Sequence, residues 1–187
     1  MVTGLLIGLI LPFTTVWFLI IAVSILTIVF KQLLKYRGRV IFNPAALGLL
    51  ISSLILKTQI SWWAVAWSSW FILFLIITQG YVLRRIKRLW LPLSFLFSYA
   101  VYLFLKSSGN ILPLLFDSTI FFFALIMLSE PQSSPSLKYW QYFFGPLAVI
   151  NIFLLSSFSQ LDLDPLLTSL VLANGESFLI RKIKHEI

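Results

Sequence analysis

Long apolar stretches, punctuated by short runs of lysine and arginine, constrain this chain more than any other feature. A helix needs about 20 apolar residues to cross a hydrocarbon core, with roughly 17–25 tolerated. Val2–Phe30, Val40–Leu56, Ser61–Gly80, Leu89–Lys106, Ile111–Ser129, Tyr139–Ser157 and Pro165–Ile180 approach or exceed that length. The first is longer than one span and contains Pro12. It reads either as one long kinked helix or as a short re-entrant piece followed by a span from Thr14 to Phe30. The composition is 60% hydrophobic and only 11% charged, against about 25% charged in a soluble domain. The expected fold is therefore all-α: residues 1–187 form a single integral membrane domain, a polytopic helical bundle of about seven transmembrane helices.

The cations divide unevenly between the two sides of such a bundle. One side receives Lys31, Lys35, Arg37, Arg39, Arg84, Arg85, Lys87, Arg88, Lys138, Arg181, Lys182 and Lys184, and the other only Lys57 and Lys106. By the positive-inside rule the N-terminus lies outside and the C-terminus in the cytoplasm, in the cell (inner) membrane. The net charge of +8 comes from these loops and not from a nucleic-acid-binding face. The start lacks the basic n-region of a cleavable signal peptide. Without cysteine, disulfides, thiolate catalysis and cysteine-ligated clusters drop out, and one histidine, His185, cannot build a zinc or bis-histidine haem site. No paired catalytic carboxylates or hydrolase triad occur, and no catalytic residue is assigned.

Polar residues inside apolar segments are the informative ones, because lipid tolerates them only when paired or lining a cavity. Asn43 caps a helix start and Pro44 suits its first position, leaving free amides that favour an anionic group. Asp164-Pro165 repeats this device before the last span, a weak internal echo of the kind inverted repeats leave. Ser129, Glu130, Pro131, Gln132, Ser133, Ser134 and Pro135 make a polar turn after the fifth span; it either holds a cofactor edge or simply ends the helix. Asn174-Gly175-Glu176 is read as interrupting the last span, either opening backbone carbonyls to a ligand or ending the helix with Glu176 paired to Arg181. Asp117 is expected to cap a helix and Asn151 to make a buried interhelical hydrogen bond. Trp62 and Trp63 suit an interfacial aromatic belt, while Trp67 and Trp70 share one deeper face, expected in core packing, the alternative being a stacking surface for a flavin or quinone.

Three blocks in one order, Thr3–Pro12, Lys31–Leu50 with Ile41–Gly48 at its centre, and Met127–Pro135, together with the closing Leu170–Asn174, resemble the RnfD/NqrB family. Its members are membrane components of the Rnf electron transport complex and of the sodium-translocating NADH:quinone reductase. The resemblance implies a urea-transporter-like fold of two related halves, of which this short chain would be one enlarged half. It further implies a membrane electron-transfer subunit of a redox complex, a non-autonomous component of an ion-translocating oxidoreductase, that positions a flavin or quinone for transmembrane electron transfer. Its site would comprise Asn43, Pro44, Ser129, Glu130, Gln132, Ser133 and Asn174. The family's Ser-Gly-Ala-Thr acceptor for covalent FMN is missing, so FMN or riboflavin would be held non-covalently. Partners would be other membrane subunits, a flavin- or ferredoxin-linked reductase, or a second copy of the chain. The alternative is a small-solute or ion permease on the same half fold.

Overall fold

The computed structural model describes residues 2–66, 69–106, 109–157 and 163–183. The order is α1 (Val2–Ile10), α2 (Trp17–Leu33), β1 (Lys35–Tyr36), β2 (Arg39–Val40), α3 (Pro44–Ile55), α4 (Ser69–Arg85), α5 (Trp90–Lys106), α6 (Leu112–Leu115), α7 (Ser118–Phe122), a π-helical turn (Phe123–Met127), α8 (Lys138–Ser157) and α9 (Pro165–Ile183). The chain is mostly helical. One described helix, α8 with 20 residues, is by itself long and apolar enough to cross a membrane; α2, α3, α5 and the segment Leu112–Met127 are apolar but shorter.

The first apolar stretch is two helices, α1 and α2, joined through Leu11–Val16. Of the two readings the break at Pro12 favours the second, because proline cannot donate to the preceding turn. The third stretch begins its helix late, at Ser69. Ahead of it the amides of Ser61 and Trp62 donate to Ile10 O at 3.1 and 3.2 Å, which commits that backbone to α1. The fifth stretch is broken into α6, α7 and the π turn. Pro113 opens α6, and Asp117 caps α7 by accepting from Thr119 N at 2.7 Å, as its sequence position suggests. The expected interruption at Asn174-Gly175-Glu176 is absent: α9 runs through it.

An unanticipated hairpin joins α2 to α3. Lys35 pairs with Val40 and Tyr36 with Arg39. Arg37 and Gly38 both take positive φ, +47° and +80°, as a two-residue type I′ turn demands.

Packing is closest where small residues let backbones meet. Gly48 of α3 sits on Thr27 of α2, and Gly145 of α8 sits on the Ser94–Phe95 backbone of α5. The Ser94 hydroxyl also donates to Gln141 O at 3.0 Å. Asn151 of α8 donates to Glu176 of α9 at 2.9 Å, the buried interhelical bond expected of it. Phe95, Phe123, Phe144, Leu49, Leu91, Leu167 and Leu170 fill the core. Outward, the helices carry large apolar side chains, among them Ile21 and Ile25 on α2, Trp70 and Ile77 on α4, and Phe97 and Phe104 on α5.

Candidate functional site

The ends of the bundle differ in chemistry. The C-termini of α2, α4 and α9, the hairpin, and the N-termini of α3, α5 and α8 share one end. Contacts between them mark it: Arg88 against the Ser129–Pro135 turn, Lys138 over the Trp90 ring at 5.4 Å, Lys182 over Tyr36 at 5.7 Å. All the described cations except Lys57 and Lys106 gather there.

The turn is built around Arg88. Its guanidinium donates to Ser134 O at 3.2 Å, to the Ser134 hydroxyl, and to Pro131 O at 3.3 Å. The Ser134 hydroxyl in turn donates to Glu130 O at 2.6 Å. Burial lowers the pKa of Arg88, and the charges of Arg39 and Arg181 lower it further. Glu130 is pushed the other way: burial raises its pKa, against the opposing pull of Lys31 and a hydrogen bond from Ser133. From behind, Gln141 of α8 clamps the loop, donating to Lys87 O at 3.1 Å and Ser136 O at 3.0 Å.

Two hollows open between this turn and the hairpin. The larger, about 410 Å³, is lined by Lys31, Lys35, Gly38, Arg39, Val40, Arg88, Pro131, Gln132 and Ser136. Beside it a cleft of about 60 Å³ has aromatic walls, Tyr36, Trp140 and Phe178, with Gln132 and Arg181 at its edge. A third hollow, about 620 Å³ and mostly apolar, runs between α5 and α8 toward the opposite end, past Phe97, Val101, Tyr102 and Phe153.

The residues singled out in the sequence fall at this end but divide by role. Asn43 is fully buried; its Oδ1 accepts from Ala46 N and its Nδ2 donates to Met127 O, each at 3.0 Å. It knots the start of α3 to the end of the π turn, and with Pro44 it shapes the wall without lining a hollow. Ser129 donates to Ala124 O at 2.8 Å, covering a carbonyl the π turn leaves open. Ser133 faces Glu130 at 3.4 Å, and Gln132 alone of the predicted set lines both the 410 Å³ and 60 Å³ hollows. Asn174 lies one residue from Gly175, which meets the Phe42 ring. Its amide nitrogen donates to Leu170 O, while Oδ1 has no partner, a condition shared by the hydroxyl of Ser177 one turn on. A buried oxygen of this kind calls for a water or a ligand donor.

In the sequence Arg88, Arg39, Lys31 and Lys35 stand only as orientation signals. Burial of Arg88 has no local signature, since it belongs to a run with Arg84, Arg85 and Lys87. The tryptophans also depart from expectation. Trp62 is no belt residue: it is buried and donates to Asp164 at 2.7 Å. Trp70 is exposed and not in the core, and Trp67 lies outside the described residues. No protein-family model matches the sequence, and no curated protein matches it significantly.

Proposed function

We propose that this chain is a polytopic membrane subunit of the Rnf and NADH:quinone reductase type, holding a flavin or quinone for electron transfer. The supporting observation is the meeting of the blocks that carry the resemblance. Asn43 of one is bonded to Met127 of another, and Gly175, the residue after the closing block, packs against Phe42, all beside the cation-lined hollow. Apolar side chains on the outer faces of α2, α4 and α5 favour lipid as their solvent, since soluble monomers rarely expose apolar patches larger than a few hundred Å². The cation-rich end would face the cytoplasm.

A hollow of about 410 Å³ falls within the usual size of a small-molecule site, roughly 300–1,000 Å³. Its cations suit the mononucleotide better than riboflavin. The aromatic cleft is too small for a three-ring system, so a flavin ring would lie in the larger hollow with Gln132 beside it. The flavin would supply the redox chemistry; the residues here would orient it and set the charge around it. The apolar groove between α5 and α8 suits a quinone tail.

One observation favours the permease reading: α3 and α9 pack against each other, and each opens on a capped residue followed by proline, from opposite ends. Purification in detergent, followed by an ultraviolet–visible spectrum of the protein and of its organic extract, separates the two. The redox reading expects bound flavin or quinone and co-purifying reductase subunits. A protein that yields neither flavin nor quinone and passes solute across proteoliposomes without reductant defeats it.

A further inference from the structure

Basic residues that only orient a membrane protein need nothing but water around them. Arg88 is 9% exposed and spends its N–H groups on the Ser134 and Pro131 carbonyls and a hydroxyl. Those acceptors are neutral. They occupy three of the guanidinium's five N–H donors and leave its charge in place, which is costly for a buried ion. Lys31, Lys35 and Arg39 share the hollow with it, and no acidic residue is among those lining it. Lys35 is held by Gln32, again a neutral acceptor.

No described acid lines the hollow itself. Asp117 and Asp164 cap helices at the other end, and Glu176 is bonded to Asn151 between α8 and α9. Glu130 is nearest and feels the charge of Lys31, but it is turned toward Ser133 and desolvated, so it offsets one of the four cations at most. Four cations around one cavity repel one another until an anion enters. An arginine fixed at the floor, always charged and planar, with flexible lysines at the rim, is the arrangement that grips a phosphate through charge-assisted hydrogen bonds.

We infer that the hollow between the hairpin and the Ser129–Pro135 turn is a phosphate-binding site, with Arg88 at its floor and Lys31, Lys35 and Arg39 closing on the phosphate. The group is carried either by a small soluble ester or by the headgroup of an anionic phospholipid. Both can reach it, because the hollow opens beside the apolar flank of α2, where Val29 and Leu33 are exposed next to Lys31. The site does not require the ligand to be a flavin.

The full chain in phosphatidylcholine nanodiscs tests this. Thermal unfolding is followed by tryptophan fluorescence while inorganic phosphate is titrated against chloride at constant ionic strength. A second arm replaces part of the phosphatidylcholine with phosphatidylglycerol. The expected result is a saturable rise in Tm in at least one arm. Phosphate acting in neutral lipid shows that a soluble ester suffices; a rise confined to phosphatidylglycerol identifies the headgroup. Lys35→Gln with Arg39→Gln, both exposed side chains, should weaken the response at least about tenfold, the equivalent of one charge-assisted bond. No rise in either arm, or a rise undiminished in the double variant, overturns the site. A protein that carries neither flavin nor quinone yet still responds overturns the redox reading alone.

Discussion

The chain opens two helices with the same local device and then uses them differently. At α3 the cap is Asn43, fully buried, giving one bond to its own helix and one to Met127 O. At α9 the cap is Asp164, which accepts from Leu167 N at 2.8 Å and from Trp62 Nε1 at 2.7 Å. The neutral amide can give a proton as well as take one, so it suits a partner that is a carbonyl. The carboxylate can only accept, so it suits two N–H donors. Burial raises the pKa of Asp164 even so, because its N–H partners do not fully replace water. A cap's identity is thus chosen by what lies across from it, not by the helix it begins.

The two helices also differ in how closely they are held, and the largest expected effect probes that. A Cβ on Gly48 of α3 would fall onto Thr27 Oγ1 and lie 2.7 Å from Thr27 Cβ. Thr27 is buried, and its hydroxyl is tied to Val23 O at 2.8 Å, so it cannot swing aside. Gly48→Ala should part α2 from α3 and destabilise by about 3 kcal/mol, the upper end for overpacking, read as a fall in Tm in detergent. A loss below about 1 kcal/mol would mean that α3 is no more tightly seated than α9.

Next in size is Asn43→Ala. It removes a cap, about 0.5–2 kcal/mol, and leaves the Met127 carbonyl without its buried donor, about 1–3 kcal/mol more. Thermal melts should show a combined loss of about 2–3 kcal/mol. Asn43→Asp sharpens the contrast between caps: its protonated form can make both bonds, its ionised form only one. The Asn43→Asp protein should therefore lose more stability than the parent as pH rises.

Asp164→Asn should cost about 1 kcal/mol at neutral pH, because the amide can accept from Leu167 or from Trp62 but not both. The pH dependence has a definite sign. A carboxyl whose folded pKa is raised binds more protons folded than unfolded, so its contribution falls as pH climbs from about 3.9 through the raised value. The deficit of Asp164→Asn should be largest in acid and shrink across that window. Glu130, also raised, is present in both proteins and cancels.

What can be read in the sequence follows from how local its cause is. Asn43-Pro44 and Asp117 are legible because a cap needs only the next three residues. The bounds of α5 and α8 are legible within a residue, since their apolar runs stop at charged residues or, at the end of α8, at a pair of serines. The late start of α4 is not: it depends on Ile10 accepting amides from Ser61 and Trp62, fifty residues away. Nor is the candidate site. Gln132 stands out on composition, but Arg88 looks like its solvated neighbours until the turn folds over it. Asn43 and Ser129 stand out as ligand-binding candidates and instead brace the wall, because a polar residue in apolar surroundings signals a bond without saying to what.

The smallest effect lies in the last helix, where an interruption was expected and none is found. Gly175 lies inside α9, and a Cβ there would meet only the Phe42 ring, at 3.3 and 3.7 Å. The ring is half-buried and can tilt by the few tenths of an ångström required. Replacing an interior helical glycine by alanine gains up to about 1 kcal/mol of helix propensity, so Gly175→Ala should be neutral or slightly stabilising, within about 1 kcal/mol. If it were as damaging as Gly48→Ala, α9 would be as constrained as α3, and the contrast between the helices would fail. If it were neutral for stability yet abolished the phosphate response of the nearby hollow, the Phe42–Gly175 contact would belong to the ligand site and not to the packing.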